Sequence, residues 1–204
     1  MMVTDRFAPN ASETKEGPIV LADISGYTTF VASTEIEHSR RVVGMLLEAM
    51  IESQRGRLEA GQVAGDAVLF VGVGLDPAFL GWMDAMYVAF HQMVRELAAR
   101  RDCPCNACGL APTLTMKALA HYGRWNLLRI GPSGQVHGSD AIVPHRLAKN
   151  SVPSHEYVLV TPPLAERLST MDRERFAWRE ENGAEFGLMR IGYYDLSSLR
   201  DRAS

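Results

Sequence analysis

Two aspartates stand beside apolar segments and glycines, and their setting is the first feature of the sequence that could support chemistry. Asp23 directly follows an apolar run and lies three residues before Gly26. Asp66 directly follows Gly65 and precedes a second apolar run at 67–71. A carboxylate next to a buried strand is costly unless it is paired or bound to a metal ion. If both strands lie in one sheet, the two carboxylates point at the same spot on its edge.

Magnesium and a polyphosphate are the ligands that suit such a pair of carboxylates. Mg²⁺ prefers oxygen ligands and usually binds through one or two carboxylates together with phosphates of the substrate. Asp23 also precedes a glycine-containing turn into a helix, and the backbone N–H groups at such a junction suit phosphate. The alternative is that Asp23 caps the next helix and Asp66 is an ordinary turn residue. The sequence leaves both interpretations open.

The elements that must position these residues follow from apolar periodicity and turn signals. Strands are predicted at 17–24, 113–123, 126–131 and 156–160, with a hairpin over 57–74 and a closing hairpin over 175–196. Helices are predicted at 35–55, 76–101, 139–150 and 161–168. The methionine and aromatic stripe of the second helix is typical of core.

Three local signals refine this order of elements. Thr34 and Glu37 have the spacing of a capping box for the first long helix, and Ser33 is a second cap candidate. Pro144 within the third helix predicts a kink or a late start. The segment 132–138 is predicted to be a loop. Paired strands mixed with crossover helices indicate an α+β sandwich, in which helices cover one face of a largely antiparallel sheet.

The composition limits the classes of function. The chain has 204 residues and a formal net charge of -3, so no global basic field favours a nucleic-acid partner. We see neither a signal peptide nor an apolar stretch long enough for a membrane span. We expect one domain at 17–199, with a flexible lead-in at 1–16 and a loose end at 200–204. The setting expected for its three cysteines is a reducing cytoplasm.

The motifs around the two aspartates resemble those of class III adenylate and guanylate cyclase catalytic domains. "VLADISGYTTF" (20–30) resembles their first metal-binding motif, and "AGDAVLF" (64–70) is similar to their second. "ALAHYG" (118–123) resembles the strand that follows, and "HGSDAIVPHRLAKN" (137–150) resembles their dimer-interface helix. The order of the motifs matches over residues 18–160. The combination indicates a divergent bacterial branch of unknown function and implies a ferredoxin-like βαββαβ core.

The resemblance also implies roles for individual residues. Asp23 and Asp66 would bind two Mg²⁺ or Mn²⁺ ions, assisted by the carbonyl of Ile24. The backbone amides of the turn would hold the phosphates of ATP or GTP, and these amides belong to Ser25, Gly26, Tyr27 and Thr28. Arg146 matches the transition-state arginine, which in this family comes from the other subunit. A head-to-tail homodimer that forms a cyclic nucleotide and releases pyrophosphate is therefore implied.

Three positions depart from the family pattern. Ile142 stands where the family has a transition-state asparagine, and Gln62 stands where it has a purine-reading lysine. The second purine-reading position is Gln135. His145, beside Arg146, is a candidate to supply a proton or a donor in place of the asparagine. The interpretations left open are a divergent cyclase, a nucleotide or metal sensor without turnover, and an enzyme that acts on another phosphate substrate.

The three cysteines, Cys103, Cys105 and Cys108, lie within one short loop that the cyclase resemblance does not explain. Cys-x-Cys-x-x-Cys spacing can bring three thiolates to one soft metal, and a zinc site normally requires four ligands. A histidine, a second chain or water could supply the fourth. A structural zinc ion would fix the loop between the long helix and the next strand. The alternatives are an iron–sulfur centre, redox sensing, or a set of partly buried thiols without a metal.

Overall fold

The computed structural model describes residues 13–99, 105–130, 133–183 and 187–203, in which strands and helices alternate along the chain. The strands are β1 (Lys15–Ser25), β2 (Glu59–Ala64), β3 (Ala67–Val71), β4 (Thr115–Ile130), β5 (Ser133–His137), β6 (Tyr157–Val160), β7 (Ala177–Gly183) and β8 (Gly187–Asp195). The helices are α1 (Tyr27–Ala32), α2 (Ile36–Ser53), α3 (Phe79–Ala99), α4 (Asn106–Leu110), α5 (Ile142–Leu147), α6 (Pro162–Ala165) and α7 (Thr170–Glu174).

One sheet joins these strands in the order β2-β3-β1-β4-β6-β8-β7, and β5 pairs with the far half of β4. β1 lies between β3 and β4 and pairs antiparallel with both. β4 and β6 are parallel, and the other pairs are antiparallel. The prediction of an α+β fold with a largely antiparallel sheet is confirmed. The elements from β1 to β4 form the βαββαβ core that the family resemblance implies.

The alternation of side chains along β1 divides the core into two layers, because successive residues of a strand point to opposite faces. Val20, Ala22 and Ile24 pack under the long helices α2 and α3. Ile19 and Leu21 face the opposite side of the sheet, where residues of α5 and of the β4–β5 hairpin pack. The predicted stripe of α3 is buried as core. In the described part of the chain, no helix combines the length and the apolar composition needed to cross a membrane.

The capping-box prediction for α2 is wrong. The N-cap residue is Glu35, and its side chain makes no capping hydrogen bond. The hydroxyl of Thr34 donates to the carbonyl of Phe30 over 2.7 Å, and that of Ser33 donates to the carbonyl of Thr29 over 2.8 Å. Both hydroxyls therefore satisfy carbonyls at the end of α1, a competing local use of these side chains.

The structure also corrects the segment from 113 to 138. The two extended pieces predicted at 113–123 and 126–131 belong to the single strand β4, and part of the predicted loop 132–138 forms β5. Gly123, within β4, leaves space for the side chain of Asp140, because an added Cβ at 123 would lie 2.4 Å from Asp140 Oδ2. That carboxylate accepts a hydrogen bond from the backbone N–H of Arg124 over 2.7 Å. A side chain at 123 would displace the Asp140 carboxylate and break its hydrogen bond to Arg124.

The remaining differences lie at helix ends. α5 begins only at Ile142, so Pro144 lies in its first turn, where its missing N–H would have no helical partner. The late start predicted from this proline is confirmed. Where the sequence suggested a loose end, residues Ser197–Ala203 form a 3-10 helix. Arg200 of that helix forms an ion pair with Glu156.

Candidate active site

The pairing of β1 with β3 brings the two aspartates to neighbouring positions. Asp23 stands opposite Ala67, the residue after Asp66. The backbone N–H of Ile24 donates to the carbonyl of Asp66 over 3.1 Å. Both aspartates are half-buried. Burial, followed by the negative charge of Asp23, raises the pKa of the Asp66 carboxyl. The two carboxylates are therefore close enough to repel each other, as expected of a site for a cation.

Lys117 contacts Asp23, and the sequence analysis did not indicate this contact. It stands opposite Asp23 on β4. Its Nζ lies 3.3 Å from Asp23 Oδ2 and donates to the carbonyl of Ala148 over 3.0 Å. The signal that could have found it is the strand register, because Lys117 and Leu119 share one face of β4. One ammonium group thus links the carboxylate to the end of α5.

The turn after β1 offers backbone amides. Gly26 has φ 89°, the left-handed conformation that favours glycine, and α1 begins at the next residue, Tyr27. The hydroxyl of Ser25 donates to the carbonyl of His155 over 2.9 Å, so this side chain joins the turn to the segment before β6. A cavity of about 400 Å³ opens beside the turn, between Tyr27, α2 and Gly65.

The candidate base-reading residues lie on the strands at one edge of the sheet. Gln62 is half-buried on β2 opposite Leu69, next to an irregularity in the β2–β3 pairing. Gln135 is exposed on β5. β5 packs against β2, because an added Cβ at Gly61 would lie 2.4 Å from Val136 Cγ2. The two glutamines therefore belong to neighbouring strands.

The residues matched to the catalytic helix lie on α5. His145 and Arg146 occupy its last turn and are exposed. Ile142, at the start of the helix, is 47% exposed and presents an alkyl group where the family has an amide. The structure therefore places all three on a helix that packs against the same face of the sheet as Asp23 and Lys117.

The structure adds a histidine to the cysteine loop. Cys103 lies outside the described residues, whereas Cys105 and Cys108 are described, half-buried, and not joined in a disulfide. His38 Nδ1 lies 2.9 Å from Cys105 Sγ, and this contact raises the pKa of the imidazole. The ligand atoms of His38, Cys105 and Cys108 all lie within 4.8 Å of one another.

A buried polar network lies away from these sites, and no sequence pattern indicated it. Tyr87 and Arg200 both donate to the carboxylate of Glu156, and His91 Nε2 lies 3.2 Å from Thr115 Oγ1. Burial is the main cause that lowers the pKa of His91 to about 4 and raises that of Tyr87 to about 12. The network joins α3 to the sheet and to the C-terminal 3-10 helix.

The profile of a family described as protein of unknown function (DUF2652) matches residues 43–157, more than half of the chain. The chain belongs to this family. One relative, "Uncharacterized protein Rv2561/Rv2562" of Mycobacterium tuberculosis (strain ATCC 25618 / H37Rv), is 27% identical over 158 residues. The match covers 76% of this chain and 74% of the relative.

Solved structures with the same fold are cyclase catalytic domains. The guanylyl cyclase Cya2 has a TM-score of 0.68 at 11% identity, over 89% of this chain and 92% of its own. The guanylate cyclase domain of RhGC from Catenaria anguillulae, solved in complex with GTP, has 0.62 at 13% identity, over 89% and 97%. The adenylyl cyclase CyaB from P. aeruginosa has 0.59 at 13% identity, over 90% and 96%. The resemblance to class III cyclase domains is confirmed at the level of the fold.

Proposed function

We propose that this protein binds a nucleoside triphosphate together with divalent metal ions, Mg²⁺ or Mn²⁺, at Asp23 and Asp66. The observation that carries the proposal is the adjacency of the two half-buried carboxylates across the β1–β3 pair. Burial, followed by the negative charge of Asp23, raises the pKa of Asp66. A divalent cation relieves the repulsion between such a pair, and carboxylate oxygens are the ligands that Mg²⁺ prefers. The superfamily fold supports the same assignment, since relatives of this fold bind GTP in solved structures.

The neighbouring groups fit a metal–nucleotide complex. The carbonyl of Ile24 would add an oxygen ligand, and the amides of Ser25, Gly26, Tyr27 and Thr28 would contact the β- and γ-phosphates. When bound, the metal ions would activate the ribose 3′-hydroxyl and neutralise charge on the α-phosphate. Lys117 would leave Asp23 to the metal and place its ammonium against a phosphate oxygen. Gln62 would read an edge of the base through its amide.

Turnover, in this proposal, is the cyclisation of the nucleotide. The 3′-oxygen attacks the α-phosphorus, the bond to pyrophosphate breaks, and the 3′-hydroxyl proton passes to solvent. Arg146 of a second copy of the chain would stabilise the charge that develops on the phosphate, which makes the functional unit a homodimer. His145 is the nearest residue in sequence that can donate a hydrogen bond in place of the missing asparagine. Ile142 cannot donate a hydrogen bond, so we expect a turnover rate about 100-fold to 1,000-fold lower than that of a site with the asparagine.

A second candidate function is nucleotide sensing without turnover. Ile142 favours it, because an exposed alkyl group at that position offers no hydrogen bond to the substrate. This candidate predicts the same binding site as the first and differs from it in forming no product.

Calorimetric titration of ATP and GTP with Mn²⁺ or Mg²⁺ tests the proposed function. We expect saturable, metal-dependent binding by the wild type, and loss of that binding in Asp23→Asn. Glu180→Gln is the matched control, because it removes the same charge from an exposed position on β7, at the far edge of the sheet. Wild-type protein that binds neither nucleotide, or an Asp23→Asn variant that binds as tightly as the control, would refute the proposal.

The same samples separate the two candidate functions. Cyclic nucleotide and pyrophosphate formed in equal amounts by the wild type, and absent with Asp23→Asn, would establish a slow cyclase. Binding without either product would establish the sensor. Release of inorganic phosphate in place of pyrophosphate would identify a different phosphate chemistry at the same metal site.

A further inference from the structure

His38, Cys105 and Cys108 form a cluster that the proposed function does not use. His38 lies in the first turn of α2, and the cysteines lie in the short helical segment that follows α3, 67 residues later in the chain. Their ligand atoms lie within 4.8 Å of one another, and His38 Nδ1 is 2.9 Å from Cys105 Sγ. Two sulfurs and one imidazole nitrogen thus converge from two separate elements.

Other contacts hold the two elements in this relation. Glu35, three residues before His38, accepts a hydrogen bond at Oε1 from the backbone N–H of Asn106, the residue after Cys105, over 3.4 Å. Ala107, between the cysteines, is fully buried in the main core. The backbone N–H of Cys108 donates to Cys105 Sγ over 3.4 Å. Such an N–H to sulfur bond stabilises a thiolate, which is the form that binds metal.

The donor set selects the metal. Thiolate and imidazole together suit Zn²⁺, whereas Mg²⁺ and Ca²⁺ require oxygen ligands. Ligand atoms on a tetrahedral Zn²⁺ with bonds of about 2.0 and 2.3 Å lie roughly 3.5–3.8 Å apart. The cluster needs movements of about 1 Å or less to reach that spacing, and the exposed side chain of His38 can supply them by rotation.

We propose that His38, Cys105 and Cys108 bind a structural Zn²⁺ ion that joins α2 to the segment between α3 and β4. The proposal rests on these three described ligands. Zinc sites of this kind are usually four-coordinate, so water or a residue of a second chain would complete the set around these three ligands. Cyclase-type chemistry has no need of this ion, so the site is independent of the proposed nucleotide site.

The position of the site gives the ion a defined structural effect. The same first turns of α2 carry Ile36, Ser39 and Arg40, which line the cavity of about 400 Å³ beside Tyr27 and Gly65. α4 has only five residues and cannot be stable as an isolated helix. Zn²⁺ would therefore order α4 and fix one wall of the cavity, and its removal would lower the stability of the folded chain.

Metal analysis of the untagged protein tests the site. We expect one Zn²⁺ per chain in protein purified without chelator. After chelation, added Co²⁺ should give visible d–d bands of tetrahedral cobalt and near-ultraviolet thiolate-to-cobalt charge transfer. Cys108→Ser should weaken the charge-transfer band, and His38→Gln should lower Co²⁺ and Zn²⁺ affinity by at least about 100-fold. Circular dichroism of each variant checks that it is folded.

His137→Gln is the control, because His137 is an exposed histidine on β5, outside the cluster. It should retain the zinc content and the cobalt spectrum of the wild type. Folded wild-type protein that binds neither Zn²⁺ nor Co²⁺ would overturn the proposal, as would a His38→Gln variant with unchanged affinity. Zinc-free protein with a Cys105–Cys108 disulfide would also overturn the proposal and would show that the two cysteines form a redox pair.

Discussion

Lys117 and Asp23 form an ion pair across two neighbouring strands, with 3.3 Å between Lys117 Nζ and Asp23 Oδ2. Both side chains are about one-fifth exposed. The ammonium group also donates to the carbonyl of Ala148. If the proposed function is correct, Lys117 balances the charge of Asp23 without metal, and we expect it to be released from Asp23 when metal binds.

Removing this ammonium should strengthen metal binding. We expect Lys117→Gln to bind Mn²⁺ alone severalfold more tightly than the wild type, because it loses both the competing ion pair and the repulsion between two cations. Titration of Mn²⁺ followed by electron paramagnetic resonance of the free ion gives the affinity. Lys149→Gln is the control, since it removes an exposed lysine next to Ala148. Equal or weaker Mn²⁺ binding by Lys117→Gln would contradict this role.

Asp66→Asn should stabilise the metal-free protein. The raised pKa of Asp66 means that the fold disfavours its ionised form. Removing the charge should therefore raise the free energy of unfolding by less than about 1 kcal/mol for this partly exposed group, and raise Tm slightly. Added Mn²⁺ should raise the Tm of the wild type and leave that of the variant unchanged. Differential scanning calorimetry with and without Mn²⁺ measures both effects. A turn residue without a metal role would instead give a variant of lower Tm and no response to Mn²⁺ in either protein.

Gly26→Ala should destabilise the fold through the turn between β1 and α1. An added Cβ at this position has space, but the φ of 89° is strained for alanine, which costs about 1–2 kcal/mol. Gly44→Ala is the matched control in the middle of α2, where no heavy atom lies within 4 Å of the added Cβ. That change should stabilise the protein by about 0.5–1 kcal/mol through helix propensity. Urea unfolding gives both values, and equal effects of the same sign would contradict the turn geometry.

His91 should make the fold sensitive to acid. Its pKa is about 4 in the folded chain, against 6.5 for an unperturbed histidine, so below pH 6.5 the unfolded chain binds the extra proton. The contribution of neutral His91 to the free energy of unfolding is therefore fully present above pH 6.5 and is lost as the pH falls toward 4. Between pH 7 and 5 the free energy of unfolding of the wild type should fall by about 2 kcal/mol more than that of His91→Gln.

The groups around His91 define the control for this experiment. Glu156, Arg200 and Arg95 act on its charge, and Thr115 contacts its ring nitrogen. These groups stay in the His91→Gln variant, so the difference between the two pH profiles isolates the histidine. His137→Gln should follow the wild type. A His91→Gln profile parallel to that of the wild type would show that His91 does not titrate in this window.

A mixing experiment tests whether two chains share one site. Asp23→Asn and Arg146→Ala should each lose product formation, or tight nucleotide binding if the protein is a sensor. When the two variants exchange subunits, half of the dimers are mixed, and each mixed dimer has one intact site. The mixture should therefore recover about a quarter of the wild-type sites. No recovery after verified subunit exchange would place Asp23 and Arg146 in the same chain's site or exclude Arg146 from it.

Local sequence signals were sufficient for the fold and for the adjacency of Asp23 and Asp66. The alternation around Asp23 and the turn at Gly65 fix two strands, and their pairing follows from a short hairpin and a central β1. Periodicity of α3 gave its buried face because the spacing is set within the helix itself. The resemblance added the order of the motifs, which no single motif could supply.

What the sequence did not show depends on contacts between distant residues. Lys117 reaches Asp23 through strand register, and His38 meets Cys105 across 67 residues of chain. The capping prediction failed for a different reason, because the hydroxyl of Thr34 had a competing carbonyl within one helical turn. β5 was missed since its pairing is set by the far half of β4 and by packing against β2.

Anomalous diffraction from crystals grown with Mn²⁺ and a non-hydrolysable analogue of ATP or GTP would test metal and nucleotide binding at Asp23 and Asp66. We expect a manganese peak about 2.1 Å from carboxylate oxygens of both aspartates, with phosphate density against the Ser25–Thr28 turn. Lys117 should have moved away from Asp23. Nucleotide bound elsewhere, or manganese absent from both aspartates while the Lys117–Asp23 ion pair persists, would contradict the account.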